Sequence, residues 1–217
     1  MTTYRIIQSG PSASFPDPHP LITQAHPQGD GWIVVGRGAG YAYRAQQSAA
    51  SAAMFVAIEL GTECLGVHTG ESGGTEGSNV VGFSRFRLGK ADPTALVEIV
   101  RQPGTRPEAL AAVRQVFEAA GLKVAICGDF PGRIVNRLIR PYFNATLRRL
   151  DEGLASAADL DKTLCLGLGY PEGPIGLLER TGLAEHHDVT EALYIALGQE
   201  PYWPARRSQV AKQRTER

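Results

Sequence analysis

"DFPGRIVNRLIRPYFNATLRRLDEGLASAADLDKTLCLGLGYPEGPIGLLERTGL" (residues 129–183) decides the fold of this chain. From residue 131 onward Ile134, Val135, Leu138, Ile139, Tyr142, Phe143, Leu147 and Leu150 recur at spacings of three and four, the apolar stripe of a helix. Arg133, Arg137, Arg140, Arg148 and Arg149 fall largely off that stripe. Pro141 has no N–H to give, so the carbonyl of Arg137 loses its helical donor and a kink is expected one turn beyond Asn136. Ser156 is the expected N-cap of a second helix, with the carboxylate of Asp159 favouring its first turn. "GLGYPEGP" (167–174) breaks the chain before more helix from about 175 to 197.

Upstream the character is different. "TYRIIQ" (3–8) predicts a short strand, and the five prolines of "SGPSASFPDPHPLITQAHPQGDG" (9–31) rule out a continuous helix there. "GWIVVG" (31–36) predicts a strand, the Ala-rich "YRAQQSAASAAMFVAIELG" (43–61) a helix and "ECLGVHT" (63–69) a buried strand, which makes one β-α-β unit. After the glycine-rich "GESGGTEGS" (70–78) come strands in "NVVGFSRF" (79–86) and "ALVEIVR" (95–101), a helix over 106–120 and a strand over 122–128.

The 217 residues, 43% of them hydrophobic, can bury a sizeable core in one large domain or two smaller ones. Lys plus Arg (22) balances Asp plus Glu (22), so no net field draws the chain to nucleic acid or to an anionic membrane. Cys64, Cys127 and Cys165 are widely spaced and lack C-x-x-C, which predicts neither a disulfide framework nor a metal site and fits a reducing cytoplasm. No signal-peptide-like start and no run of about 18 apolar residues is present, so no export or membrane span is expected.

The string P-G-x-I-V-N-R-L, P-Y, E-G, A-x-D-L-D and G-L-G-Y-P-x-G-P, in that order within 129–183, resembles the C-terminal helical domain of the 3-hydroxyacyl-CoA dehydrogenases, the 3-hydroxybutyryl-CoA dehydrogenases included. Residues 79–128 resemble the end of that family's dinucleotide-binding domain, and 31–71 resemble the strands and helix before it. The resemblance implies an α/β protein: a truncated Rossmann-like sheet domain (1–128) followed by an all-α 3-hydroxyacyl-CoA dehydrogenase C-terminal-type domain (129–217). It also implies NAD, an acyl-CoA ligand and a homodimer formed through the helical domain.

Such oxidation requires a base for the hydroxyl proton and a nicotinamide beside the C–H bond. In "VVGFSRFRLGKADPTALVEIV" the family's histidine position is Ser84, its asparagine position is Arg87 or nearby, and Glu98 stands where the orienting carboxylate belongs. A serine does not act as a base near neutral pH. Two extra residues between Ser84 and Glu98, relative to the family's spacing, argue against their contact, and Glu98 is alternatively a paired polar group at a domain seam. The family's N-T-S-S strand end aligns with "HTGE" (68–71), putting Gly70 at a substrate-contacting serine, whereas Asn136 matches the active-site asparagine. Asn136 could equally serve by bonding the carbonyl that Pro141 frees.

A β-α-β unit takes about 30 residues, so the first mononucleotide half of a dinucleotide fold does not fit ahead of Trp32, and no G-x-G-x-x-G occurs there. No bound cofactor is therefore expected. "VVGRGAGY" (34–41) is the rival phosphate cradle, but Tyr41 occupies its third-glycine position. His68 near Ser72 suggests a base and nucleophile without an orienting acid; His186 and His187 read as a solvated helix edge. Arg133, Arg137 and Arg140 suit a solvated or dimer-rim face better than the phosphates of CoA, and "ARRSQVAKQRTER" (205–217) reads as a fraying tail. The leading expectation is a degenerate family member unable to carry out NAD-dependent oxidation, retained as a dimer that binds an acyl-CoA-like ligand or a partner dehydrogenase. The alternatives are an oxidoreductase using Asn136 and Glu98 with a cofactor site completed by another subunit, and a pure interaction module.

Overall fold

A computed structural model describes residues 2–71 and 78–217. In chain order the elements are β1 (Tyr4–Gln8), α1 (Pro20–Thr23), β2 (Gly31–Val35), α2 (Ala39–Ala45), α3 (Gln47–Ala50), β3 (Val56–Glu59), α4 (Gly66–Thr69), β4 (Val80–Arg85), β5 (Leu96–Arg101), α5 (Pro107–Ala119) and β6 (Lys123–Gly128). These are followed by α6 (Arg133–Asp151), α7 (Ala157–Leu168), α8 (Pro174–Thr181), α9 (Leu183–Leu197), a single 3-10 turn (Glu200–Tyr202) and α10 (Arg206–Thr215). The chain divides into two units, Met1–Arg87 with Pro93–Arg133, and Leu88–Asp92 with Ile134–Arg217. No helix among the described residues is long and apolar enough to cross a membrane.

The first unit is a Rossmann-like sheet in which the strands lie in sequence order, β1 to β6. β1 to β4 are parallel, β5 runs antiparallel to β4, and β6 is parallel to β5. Strand side chains alternate between faces. Ile33, Val35, Ala57, Val81, Phe83, Val97 and Ile99 therefore join Val113 and Phe117 of α5 on one face. Trp32, Val34, Val56, Ile58, Val80 and Val100 join Ala39 and Tyr43 of α2 on the other. Both faces are covered, which is why these strands read as continuous apolar runs.

The predicted helix over 43–61 is corrected in two ways. It breaks into α2 and α3, and its last part is β3, because Phe55, Val56, Ala57 and Ile58 are wholly buried in the sheet. High helix propensity in the alanines ends at Met54; tertiary burial decides the residues after it. Residues 63–69, predicted as a strand, form the turn into α4. The glycine-rich loop assigned to 70–78 falls mostly outside the described residues.

In the second unit Phe143, Leu147, Ile175, Leu178 and Leu193 form the core, while Leu138 of the α6 stripe stays exposed. The carbonyl of Arg137 freed by Pro141 accepts a hydrogen bond from the Tyr202 hydroxyl at 2.9 Å, so Asn136 is not its partner. Ser156 caps α7 by accepting from the backbone N–H of Asp159. The predicted helix over 175–197 is split at Gly182, whose φ of 123° is barred to ordinary residues, into α8 and α9. The expected fraying tail is instead α10, with Ser208 fully buried, Arg207 bonded to Asp151 and Lys212 to Asp188.

Candidate functional site

In parallel α/β sheets ligands gather outside the carboxyl ends of the strands, so that edge is the place to look first. Here it is crossed by the residues that follow β1. The carboxylate of Glu59, at the end of β3, accepts from the Ser12 hydroxyl (3.0 Å), the Ser14 N–H (2.7 Å) and the Gly36 N–H (2.6 Å). Ser12, Ser14 and Glu59 are all buried. One carboxylate thus ties the proline-rich loop down over the ends of β2 and β3.

The glycine turn after β2 is engaged as well. The N–H groups of Arg37, Gly38 and Ala39 bond to the carbonyls of Pro11, Ser9 and Gly36, and that of Gly36 to Glu59. A Cβ at Gly36 would overlap the Ser9 and Gly10 carbonyls, and one at Gly40 the His68 ring. The glycines permit close internal packing, and none of these four amides faces a vacant phosphate position.

His68 does have an orienting acid, contrary to the expectation. Its Nε2 lies 3.3 Å from Glu63 Oε1 and its Nδ1 lies 3.0 Å from the guanidinium of Arg44. Guanidinium only donates, so Nδ1 accepts and Nε2 carries the proton toward Glu63. Both ring nitrogens are occupied, and Ser72 lies outside the described residues. A cavity of about 190 Å³ at this edge is lined by Gly36, Arg37, Gly40, Tyr41, Glu59 and His68, among others. That is smaller than the roughly 300 Å³ at which ligand pockets usually begin.

Ser84 and Glu98 are directly paired across the antiparallel β4–β5 ladder, which corrects the reading that their spacing keeps them apart. The extra residues sit in the connection over 86–95, outside the ladder, so strand register is unaffected. Arg87 lies two residues beyond β4. Glu98 is 2% exposed, and Arg133, 3% exposed, places its Nε 3.8 Å from Glu98 Oε2. Arg133 is therefore no solvated rim residue. It has φ 56°, the only positive value among described non-glycine residues, and its guanidinium also donates to the Gly61 carbonyl. Burial lowers the Arg133 pKa while Glu98 opposes that shift. Burial, assisted by Glu98, pushes the Cys127 thiol up to about 11, so it is not a thiolate near neutral pH.

The loop leaving β3 is stapled beside this pair. Asp129 accepts from the N–H groups of Leu65 (2.6 Å) and Gly66 (2.8 Å), and the Gly132 N–H bonds to the Thr62 carbonyl. Since β3 ends at Glu59, the residues leaving the strand are 60–63, and Gly70 is the C-cap of α4. The strand-end alignment to 68–71 is shifted accordingly.

In the helical unit, Asn136 Oδ1 accepts from Nε of Arg140 at 2.9 Å. Arg140 is 1% exposed, and its Nη1 lies 2.9 Å from Nδ1 of His186, itself fully buried. His186 Nε2 meets Asn144 Oδ1 at 3.0 Å, and Asn144 Nδ2 donates to the Pro201 carbonyl. Arg140 and His186 were expected on solvated faces; both are internal because each satisfies the other's polar atoms. Burial holds the His186 pKa well below the usual histidine range, with Arg140 and His187 adding to the shift. Burial lowers Arg140 to about 10, still charged at neutral pH. Each shares a helix face with other buried residues, Arg140 with Asn144 and Leu147, and His186 with Thr190 and Leu193. Among the described residues no group of three or more His, Cys, Asp or Glu is placed to hold a metal ion.

Residues 132–217 match the family model of the 3-hydroxyacyl-CoA dehydrogenase C-terminal domain. A probable 3-hydroxybutyryl-CoA dehydrogenase of Deinococcus radiodurans is 33% identical over 110 residues, 51% of this chain and 40% of the relative. The human mitochondrial hydroxyacyl-coenzyme A dehydrogenase is 40% identical over 88 residues, 41% of this chain and 28% of the relative. The chain therefore spans less than half the length of these curated relatives. The crystal structure of (S)-3-hydroxybutyryl-CoA dehydrogenase from Ralstonia eutropha superposes with TM-score 0.69 at 24% identity, covering 84% of this chain and 64% of that one. This likeness concerns the fold.

Proposed function

Because the chain belongs to the 3-hydroxyacyl-CoA dehydrogenase family through its helical unit, we propose that it is a ligand- or partner-binding member that does not carry out NAD-dependent oxidation. The observation that carries this reading is Ser84 opposite Glu98, with Arg133 as the carboxylate's cation. Guanidinium has no lone pair to take a proton, so Arg133 does not stand in for an imidazole base. Support comes also from the glycine turn, whose amides at residues 36–39 have partners inside the protein, and from β1, which is an edge strand. A sheet ordered in sequence has no reversal of strand order, the feature that opens a dinucleotide crevice.

What the helical unit offers instead is Asn136, at the family's active-site position, and exposed leucines suited to a second copy of the chain. Leu138, Leu154, Leu166 and Leu168 are each more than 60% exposed, which supports a homodimer. The proposed ligand is an acyl thioester of the CoA type. Calorimetric titration tests the reading: acetoacetyl-CoA is expected to bind and NAD(H) to give no heat of binding. Saturable NAD(H) binding with turnover of a 3-hydroxyacyl-CoA would replace it with the alternative that the retained Glu98 and Asn136 favour, an oxidoreductase whose cofactor site is completed by another subunit. Light scattering at micromolar concentration is expected to give the mass of a dimer; a monomer would remove that part.

A further inference from the structure

Asn136 carries an amide whose two ends do opposite things: Oδ1 accepts and Nδ2 donates. Which end faces a ligand is settled by what holds the other. The atom 2.9 Å from Nε of Arg140 must be an acceptor, because a guanidinium has only donors, and so the oxygen points at Arg140. Among the described residues no acceptor takes the Nδ2 hydrogens, and Asn136 is only half-buried.

Arg140 cannot easily swing away. It is 1% exposed, and its Nη1 is bonded at 2.9 Å to His186 Nδ1. His186 is fixed in turn, since with Nδ1 accepting, its proton sits on Nε2 and is given to Asn144 Oδ1. That same oxygen accepts from the Ala205 N–H at 3.3 Å, and Asn144 Nδ2 donates to the Pro201 carbonyl at 3.0 Å. The chain of bonds runs from the segment before α10, through α9, to α6, and ends on one amide. The lowered pKa of His186 fits its neutral, accepting role at Nδ1.

We propose that Arg140, held by His186, is a positioning residue that locks the Asn136 amide with its NH₂ group outward, making this position a fixed hydrogen-bond donor for a carbonyl or hydroxyl oxygen of an acyl thioester. Without the guanidinium the amide turns over freely and presents its oxygen part of the time, which repels such an acceptor. The inference rests on the ligand reading above, and it adds the device that sets the polarity of the site.

The test is titration of the full chain with acetoacetyl-CoA in the wild type, Asn136→Asp, Arg140→Met and the double variant. Asn136→Asp keeps an acceptor for Arg140 and removes the outward donor. Each single change is expected to weaken binding about tenfold, the worth of one hydrogen bond, and the double is expected to be no weaker than the weaker single. That non-additivity is what a merely structural role would not produce. Should Arg140→Met fail to fold by circular dichroism, Arg140→Lys takes its place, because a lysine keeps the charge but not both bonds of the fork. Wild-type affinity in Asn136→Asp, or no binding by the wild type, overturns the ligand reading and this role with it. Weakened binding in Asn136→Asp with wild-type affinity in folded Arg140 variants overturns the positioning role alone. Fully additive losses in the double overturn it too.

Discussion

The carboxyl edge of the sheet and the inner face of α6 treat polar groups in opposite ways. At the sheet edge a buried carboxylate, four turn amides and an imidazole all find partners inside the protein. On α6 an equally buried network of Arg140, His186 and Asn144 ends in an Asn136 donor for which no described residue is the acceptor. The first arrangement stabilises a closed surface; the second stabilises an open valence. The difference teaches that burying a polar network does not by itself decide whether its last group is satisfied within the chain.

The largest effect should come from the sheet edge. Glu59→Ala strips the buried Ser14 and Gly36 N–H groups and the Ser12 hydroxyl of their acceptor. At about 1–3 kcal/mol per buried unsatisfied group, the loss over these groups should be at least roughly 3 kcal/mol in urea unfolding. A loss under about 1 kcal/mol would mean that the loop is not held by this carboxylate, and the contrast drawn above would fail.

Next in size is the acid response of the helical network. His186 has a folded pKa well below its ordinary value, so on acidification the unfolded chain takes the proton first. The stabilisation is complete above the unfolded value of about 6.5 and is lost as pH falls below it toward the folded pKa. The slope approaches about 1.4 kcal/mol per pH unit from this one group. In His186→Gln the side-chain oxygen can accept from Arg140 and the amide donate to Asn144, and no proton is titrated. Urea midpoints of wild type and variant compared at pH 7.5 and 5.5 should show the variant losing less. Parallel losses would place the acid sensitivity elsewhere.

These two clusters also mark where the sequence stops being legible. The motif string over 129–183 and the strands over 31–36, 79–86, 95–101 and 122–128 can be read from one chain because periodicity and turn residues are local signals. β3 escapes that reading: four residues between an Ala-rich helix and a turn carry too short a pattern to oppose helix propensity. Arg140 and His186 escape it for a different reason. Off an apolar stripe a charged residue looks solvated, and only a partner 46 positions away reveals it as buried. Ser84 and Glu98 lie in strands that the sequence predicts, but their register could not be read from spacing, since a connection absorbs extra residues without shifting the ladder.

A smaller effect sharpens the account of the glycine turn. A methyl at Gly40 would overlap the His68 ring. Gly40→Ala gains up to about 1 kcal/mol of helix propensity and should still be destabilising by about 1 kcal/mol, because overpacking typically costs 1–3. Stabilisation instead would show that the glycine is not there for packing, and would reopen the phosphate-cradle reading of "VVGRGAGY".

The smallest expected effect is the most discriminating. Ser84→His sets an imidazole, the residue type that the family resemblance asks for at that position, directly across the ladder from Glu98. If a base at position 84 were all that NAD-dependent oxidation required here, this change would be the one to produce activity. A base alone moves only the proton, however; the hydride needs an acceptor, and the amides of residues 36–39 are bonded to Glu59, Pro11, Ser9 and Gly36. Arg133 beside Glu98 would also disfavour the imidazolium that proton abstraction creates. NAD-dependent turnover of a 3-hydroxyacyl-CoA, followed by nicotinamide absorbance, should therefore stay at background in Ser84→His. Saturable turnover would mean that the sheet edge is an intact site lacking one side chain, and that the two regions differ by a single substitution rather than in kind.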